Sequence, residues 1–293
     1  MGPVSAMKSY VKEYVQNGRR IVRGMGHFRT KPVEDLKQLI KNCAKEYGEK
    51  VGFRFKAEDG NILEKTYIQL DQEIDSLGTA LIARGFKGRR IAIISENRYE
   101  WALCYFAIIN GTGVGVPLDK YLPREEIENL VRRGRVEAIF YSSSYHGMMR
   151  EIAKTNSFLK LYICMDDIGS EENDERFTTL SKLLEEGRRR LSEGDRSFVD
   201  AEIDRNAMSI LLFTSGTTSM SKGVMLCHSN IAANVTSISG MFRLKPDDVH
   251  LSLLPLHHTF ENTVGLMLMM HMGVCIAYSR GIRHIAEEIK EYD

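Results

Sequence analysis

Residues 210–230 read ILLFTSGTTSMSKGVMLCHSN and hold the residue types best suited to chemistry. An apolar run ends in Thr214, Ser215, Gly216, Thr217, Thr218 and Ser219, and Lys222 and Gly223 follow. Consecutive small residues supply closely spaced backbone N–H donors and hydroxyls, with little bulk to block an anion. Gly216 reaches backbone angles closed to its β-branched neighbours. Such a loop can wrap phosphate oxygens, while Lys222 adds a mobile positive charge. This is the chemistry of a phosphate cradle. It is not the Walker arrangement, in which Gly directly precedes the Lys and Ser or Thr directly follows it. Here Ser221 precedes Lys222 and Gly223 follows. The plain alternative is a Ser/Thr-rich surface turn with a stray lysine.

A second group lies in Leu253-Leu254-Pro255-Leu256-His257-His258-Thr259-Phe260-Glu261. No further metal ligand is spaced around the two histidines, so no metal site is expected. Glu261 follows His258 by three residues. On the first turn of a helix the two share a face, and Glu261 then fixes the tautomer of His258. The competing reading is a purely structural glutamate. Met267, Met269, Met270 and Met272 are read as core packing rather than as an acyl tunnel.

The elements that must position these groups are short β-branched runs alternating with amphipathic stretches. Strands are expected at 51–56, 90–95, 114–117, 138–141, 161–165, 208–214, 249–254 and 274–278. Helices are expected at 69–84, 100–110, 124–133, 180–191, 229–242 and 282–292. In the first helix Leu70, Ile74, Leu77, Leu81 and Ile82 fall on one face. Strands separated by helices of this length predict an α/β fold whose parallel sheet is built from βαβ layers. The unalternated runs IAII and SILLF suit a sheet buried on both faces. A soft internal boundary is expected near 169–197, starting at the acidic stretch GSEENDE.

Composition narrows the function classes. Lys plus Arg is 40 and Asp plus Glu is 39, a net charge of +1. A near-neutral chain gives no electrostatic reason to expect a nucleic-acid partner. The five cysteines lie far apart, without a CxxC or a Cys/His cluster, and read as buried free thiols. No secretion signal precedes residue 25, and the most apolar stretch, 264–278, is too short to span a bilayer. A cytoplasmic protein is expected, with peripheral membrane contact left open.

TSGTTSMSKGV resembles the phosphate-binding loop of adenylate-forming enzymes, the superfamily of acyl-CoA synthetases, peptide-synthetase adenylation domains and firefly luciferase. That loop usually reads Thr-Ser-Gly-Thr-Thr-Gly-x-Pro-Lys-Gly, so Ser219 and Ser221 depart from the pattern. Three more segments resemble the family in order: KTYIQL at 65–70, NGTGVGVPLD at 110–119, and the histidine segment at 253–261. Glu261 matches the long-chain fatty-acid–CoA ligase branch.

The resemblance implies the N-terminal, AMP-binding part of the acyl-CoA synthetase fold. It implies ATP, Mg²⁺ and coenzyme A, with a fatty acid as substrate. Thr214, Ser215, Gly216, Thr217, Thr218 and Lys222 would then hold the β- and γ-phosphates. His258 would line the acyl-carboxylate pocket, and His257 takes no role. The family's later aromatic-Gly-x-Thr-Glu segment, its ribose-binding Asp and its small domain with a catalytic Lys are not found in these 293 residues. The expectation is therefore an incomplete domain over 1–293, inactive in isolation, with self-association allowed through its cut surface. The alternative is a catalytically dead module that binds nucleotide, an acyl group or a partner.

Overall fold

The computed structural model describes residues 11–24, 27–57, 59–168, 174–214 and 221–292. The chain opens with strands β1 (Val11–Gln16) and β2 (Arg19–Gly24), an antiparallel hairpin turning at Asn17 and Gly18. Helix α1 (Leu36–Tyr47), strands β3 (Val51–Lys56) and β4 (Ile62–Thr66) and helix α2 (Tyr67–Ala83) follow. Then come β5 (Arg90–Ile94) and α3 (Tyr99–Ala107), which runs into a wide π-type turn at Ile108–Thr112. The next units are β6 (Val114–Pro117), α4 (Arg124–Arg133), β7 (Val136–Tyr141), α5 (His146–Thr155) and β8 (Leu161–Cys164). After β9 (Phe177–Thr179) and α6 (Leu180–Ser192) lie β10 (Met208–Thr214), β11 (Lys222–Cys227) and α7 (His228–Ser239). Strand β12 (Val249–Ser252) leads to a second π-type stretch (Glu261–Leu268), continued by α8 (Met269–His271). Strand β13 (Cys275–Tyr278) and helix α9 (Ile285–Glu291) complete the order.

The main sheet has seven strands in the order β11-β10-β6-β5-β7-β8-β9, all parallel except β11. Alternation along its strands explains why it is buried on both faces. Ile91, Ile93, Ala138 and Phe140 face one core, shared with α2 and α3. Ala92, Ile94, Ile139 and Tyr141 face the other, against Ile127 and Leu130 of α4 and Met149 of α5. The smaller sheet, β12-β13-β3-β4, closes the first core from the far side. Met267, Met269 and Met270 are buried in that core, and Met272 packs against it.

Local chemistry sets the element ends. Thr66 and Gln69 form a reciprocal capping box at the start of α2, and the Asp35 carboxylate caps α1 at the N–H of Gln38. Gly111 takes φ 151°, and a Cβ there would sit 3.1 Å from the Ala201 methyl. Glycine is therefore required where the turn after α3 reverses into β6.

The expected parallel α/β fold is present, with α4, β3, β6 and β10 at the expected limits. The structure also contains elements that the sequence reading left unassigned: the N-terminal hairpin, α1, β4, β9, α5 and β11. Strand β9 pairs with β8, and α6 packs on α2, so the chain beyond the acidic stretch extends the same sheet. Residues 169–173 lie outside the described residues. Of the five thiols, Cys43, Cys104, Cys164 and Cys275 are buried and Cys227 is half-buried, all unbridged.

Candidate active site at the carboxyl ends of the strands

Strand order fixes where a site can form. The chain leaves β5, places β6 on one side of it, then crosses to place β7 on the other. Connections that diverge this way leave a crevice outside the carboxyl ends of the strands, where open α/β sheets bind ligands. Pro117-Leu118-Asp119 leaves the end of β6 and Thr214 ends β10. These residues, with Ser221, His257, His258 and Thr259, line a cavity of about 280 Å³.

The Ser/Thr/Gly stretch connects an antiparallel hairpin. Thr214 and Lys222 are directly paired across β10 and β11, and both are exposed. Thus the first hydroxyl and the cation flank the connection from opposite strands. Ser215, Gly216, Thr217 and Thr218 lie outside the described residues. Helix α4 anchors the returning end. Arg133 donates to the Ser221 carbonyl at 2.6 Å, its guanidinium lies 5.7 Å from the Phe213 ring centre, and Ser221 Oγ donates to Glu126 at 3.2 Å. The sequence reading did not single out Glu126 or Arg133. Their amphipathic helix was legible, but contact with a loop almost ninety residues away was not.

The histidine segment lies on the opposite wall. Asn97, just past β5, holds it with three hydrogen bonds. Its amide donates to Ser252 Oγ (3.1 Å) and to the Leu254 carbonyl (2.7 Å), and its Oδ1 accepts from Leu256 N–H (3.0 Å). His258 is exposed at the cavity rim, and its Nδ1 accepts from Phe260 N–H at 3.4 Å. His257 is half-buried, with Nε2 3.7 Å from Asp119. Burial pushes its pKa down, with His258 and Lys120 acting in the same direction against Asp119. A neutral imidazole is therefore favoured near neutral pH. His257 also borders a second cavity, of about 170 Å³, behind the first.

Glu261 corrects an expectation. It is only 2% exposed and faces inward, accepting from Ser252 Oγ at 2.7 Å and lying 3.3 Å from His250 Nε2. His258 sits in the bend before the helix that begins at Thr259, and Glu261 turns inward to Ser252, so the three-residue spacing does not put the two on one face. Glu261 instead ties the π-type stretch to β12. Gly265 makes room for it: a Cβ there would lie 2.4 Å from the carboxylate.

The described part of the site places the exposed Lys222 and Thr214 at the hairpin and His257 and His258 at the histidine segment. Among the described residues no group of three or more His, Cys, Asp or Glu gathers to hold a metal ion. Asp119, which lines the cavity, accepts from the Tyr121 N–H, and Glu126 accepts from Ser221 Oγ. No described helix is long and apolar enough to cross a membrane.

An open, mostly parallel α/β sheet with a crevice at the carboxyl ends of its strands is the class of domain the fold defines. The chain belongs to the AMP-binding enzyme family, whose model matches residues 40–293. It is 28% identical over 228 residues to the crotonobetaine/carnitine–CoA ligase of Citrobacter koseri, covering 77% of this chain and 42% of that protein. It is also 28% identical over 265 residues to fatty acyl-CoA synthetase B of Dictyostelium discoideum, covering 86% and 38%. Among solved structures, a long-chain-fatty-acid–CoA ligase from Archaeoglobus fulgidus superposes with a TM-score of 0.75 at 19% identity, covering 92% of this chain and 52% of that one. The chain thus spans about two fifths of the length of these curated relatives.

Proposed function

We propose that this chain forms the triphosphate- and carboxylate-binding part of an ATP-dependent acid–thiol ligase acting on an aliphatic carboxylic acid. In the first half-reaction a carboxylate oxygen attacks the α-phosphorus of ATP, the bond to the bridging oxygen breaks, and pyrophosphate leaves. In the second, the deprotonated thiol of coenzyme A attacks the acyl carbon and AMP departs with its bonding pair. The protein needs no covalent intermediate. Its task is to hold the two anions in line and to neutralise developing charge.

Thr214, Ser215, Gly216, Thr217 and Thr218 would supply hydroxyls and backbone N–H groups to the β- and γ-phosphates, with Lys222 as counter-charge. His257 and His258 would receive the carboxylate. A neutral His257 donates a hydrogen bond without trapping the acid as an ion pair. The observation that carries the reading is one cavity lined by Thr214, Ser221 and both histidines, with Lys222 next to Ser221.

The test is pyrophosphate release from ATP, with and without added carboxylate, in protein carrying this chain. Carboxylate-dependent release that falls at least tenfold in Lys222→Ala, the loss of one charge-assisted contact, is expected. Release that ignores the carboxylate would overturn the reading in favour of a simple nucleotide hydrolase.

A further inference from the structure

We propose that Glu126 and Arg133 of α4 are positioning residues for Lys222, holding the hairpin at Ser221 so that the cation stays beside the cavity. The proposal rests on the phosphate-binding reading above and deepens it.

Helix α4 buries Ile127, Leu130 and Val131 and carries Glu126, Asn129 and Arg133 in a row beside them, at spacings of three and four residues. Asn129 Nδ2 donates to Glu126 Oε2 at 3.2 Å, and the other carboxylate oxygen, Oε1, accepts from the Ser221 hydroxyl at 3.2 Å. Arg133 donates to the Ser221 carbonyl at 2.6 Å while its guanidinium lies over the Phe213 ring. Phe213 pairs with Gly223 across the hairpin, so one guanidinium touches both strands beside the Thr214–Lys222 pair.

Ser221 is thus held at its hydroxyl and at its carbonyl. That carbonyl belongs to the planar peptide unit joining Ser221 to Lys222, so fixing it fixes the direction in which the Lys222 backbone starts. The strand that follows needs such a hold. It is an edge strand of the main sheet, Lys222 to Met225 are exposed, and Gly223 leaves the backbone permissive. Strand ends of this kind fray. A lysine on a frayed end must be ordered when an anion binds, and that ordering costs affinity. The clamp orders it beforehand. The charge of Glu126 works against the site, because a carboxylate one hydrogen bond from the residue before Lys222 repels phosphate. Its bond to Ser221 offsets that repulsion.

Titration with ATP of protein carrying this chain separates the hydrogen bond from the charge. Glu126→Ala should weaken binding at least about threefold, although it removes a repulsive charge. Glu126→Gln keeps the acceptor without the charge and should bind at least as tightly as wild type. Ser221→Ala should lose as much as Glu126→Ala, and the double variant no more than either alone. Arg133→Ala should lose about tenfold. Arg132→Ala, which removes an equal charge from the exposed neighbouring position, should stay within about twofold of wild type. If Arg133→Ala does not fold, the Glu126 and Ser221 variants decide alone. Unchanged or tighter binding in Glu126→Ala, or equal losses in Arg132→Ala and Arg133→Ala, would overturn the clamp, while Lys222→Ala still reports the phosphate site. Wild-type protein that binds no ATP would overturn the phosphate reading and the clamp with it.

Discussion

Asn97→Ala removes the clamp on the histidine wall, and its cost follows from the geometry. The side chain makes two donor bonds and one acceptor bond to 252–256, at 2.7 to 3.1 Å. Each is worth about 1 kcal/mol net, and Leu256 N–H and the Leu254 carbonyl lose their protein partner. Asn97 is only half-buried, so water recovers part of the loss. The expected destabilisation is about 2 to 3 kcal/mol, or roughly 3–5 °C in Tm for a chain of this size. Thermal unfolding followed by circular dichroism measures it. Asn97→Asp, which keeps the acceptor for Leu256 N–H, should lose less than Asn97→Ala. Carboxylate affinity should fall in the Ala variant more than in a surface variant of equal Tm loss, because the wall that carries His257 loosens. An Asn97→Ala protein that melts within a degree of wild type would refute the clamp.

Other perturbations test neighbouring claims. Gly265→Ala should cost at least about 2 kcal/mol by pushing the Glu261 carboxylate off Ser252, and denaturant unfolding would register it as a lower midpoint at unchanged slope. Burial lowers the pKa of His228, whose Nδ1 accepts from Leu36 N–H at 3.0 Å while Nε2 donates to the Ile109 carbonyl at 3.0 Å. His257 and His271 are lowered by burial too. The folded state then binds fewer protons than the unfolded one, so stability is complete above about pH 6.5 and declines as pH falls below it, by up to about 1.4 kcal/mol per unit for each histidine. His228→Gln should flatten part of that decline in a pH series of denaturant melts, and a profile level from neutrality to about pH 5 would contradict the linkage. Gly78→Ala should disrupt the seat of Phe198, whose ring lies 2.2 Å from the added Cβ, and lower Tm by several degrees.

Burial explains which parts of this fold were legible in the sequence. Strands β5, β6, β7, β8 and β10 announce themselves because both faces are covered and the runs are continuously apolar. Strand β11 was hidden because Lys222-Gly223-Val224-Met225 is an exposed edge, with no buried face to impose alternation. The N-terminal hairpin carried a readable signal that went unused, Asn17-Gly18 between two β-rich runs, with φ of 51° and 71°. At the site, the run of small hydroxyl residues ahead of Lys222 stands out in the sequence by residue type alone, and residues 215–218 lie outside the described residues. The roles of Asn97, Glu126 and His257 were not legible, since each depends on contacts across long stretches of chain. The direction of Glu261 was not legible because His258 lies in the bend ahead of the helix, where helical spacing does not apply.

The most direct test of the central claim is the affinity of this chain for ATP, measured by titration against Lys222→Ala, with Lys87→Ala as a surface-charge control. Because Lys222 is exposed, the difference should be largest at low ionic strength. The account predicts at least a tenfold loss in Lys222→Ala and none in Lys87→Ala. Equal affinity in all three proteins would mean that the hairpin between Thr214 and Lys222 is a surface turn and not a phosphate cradle.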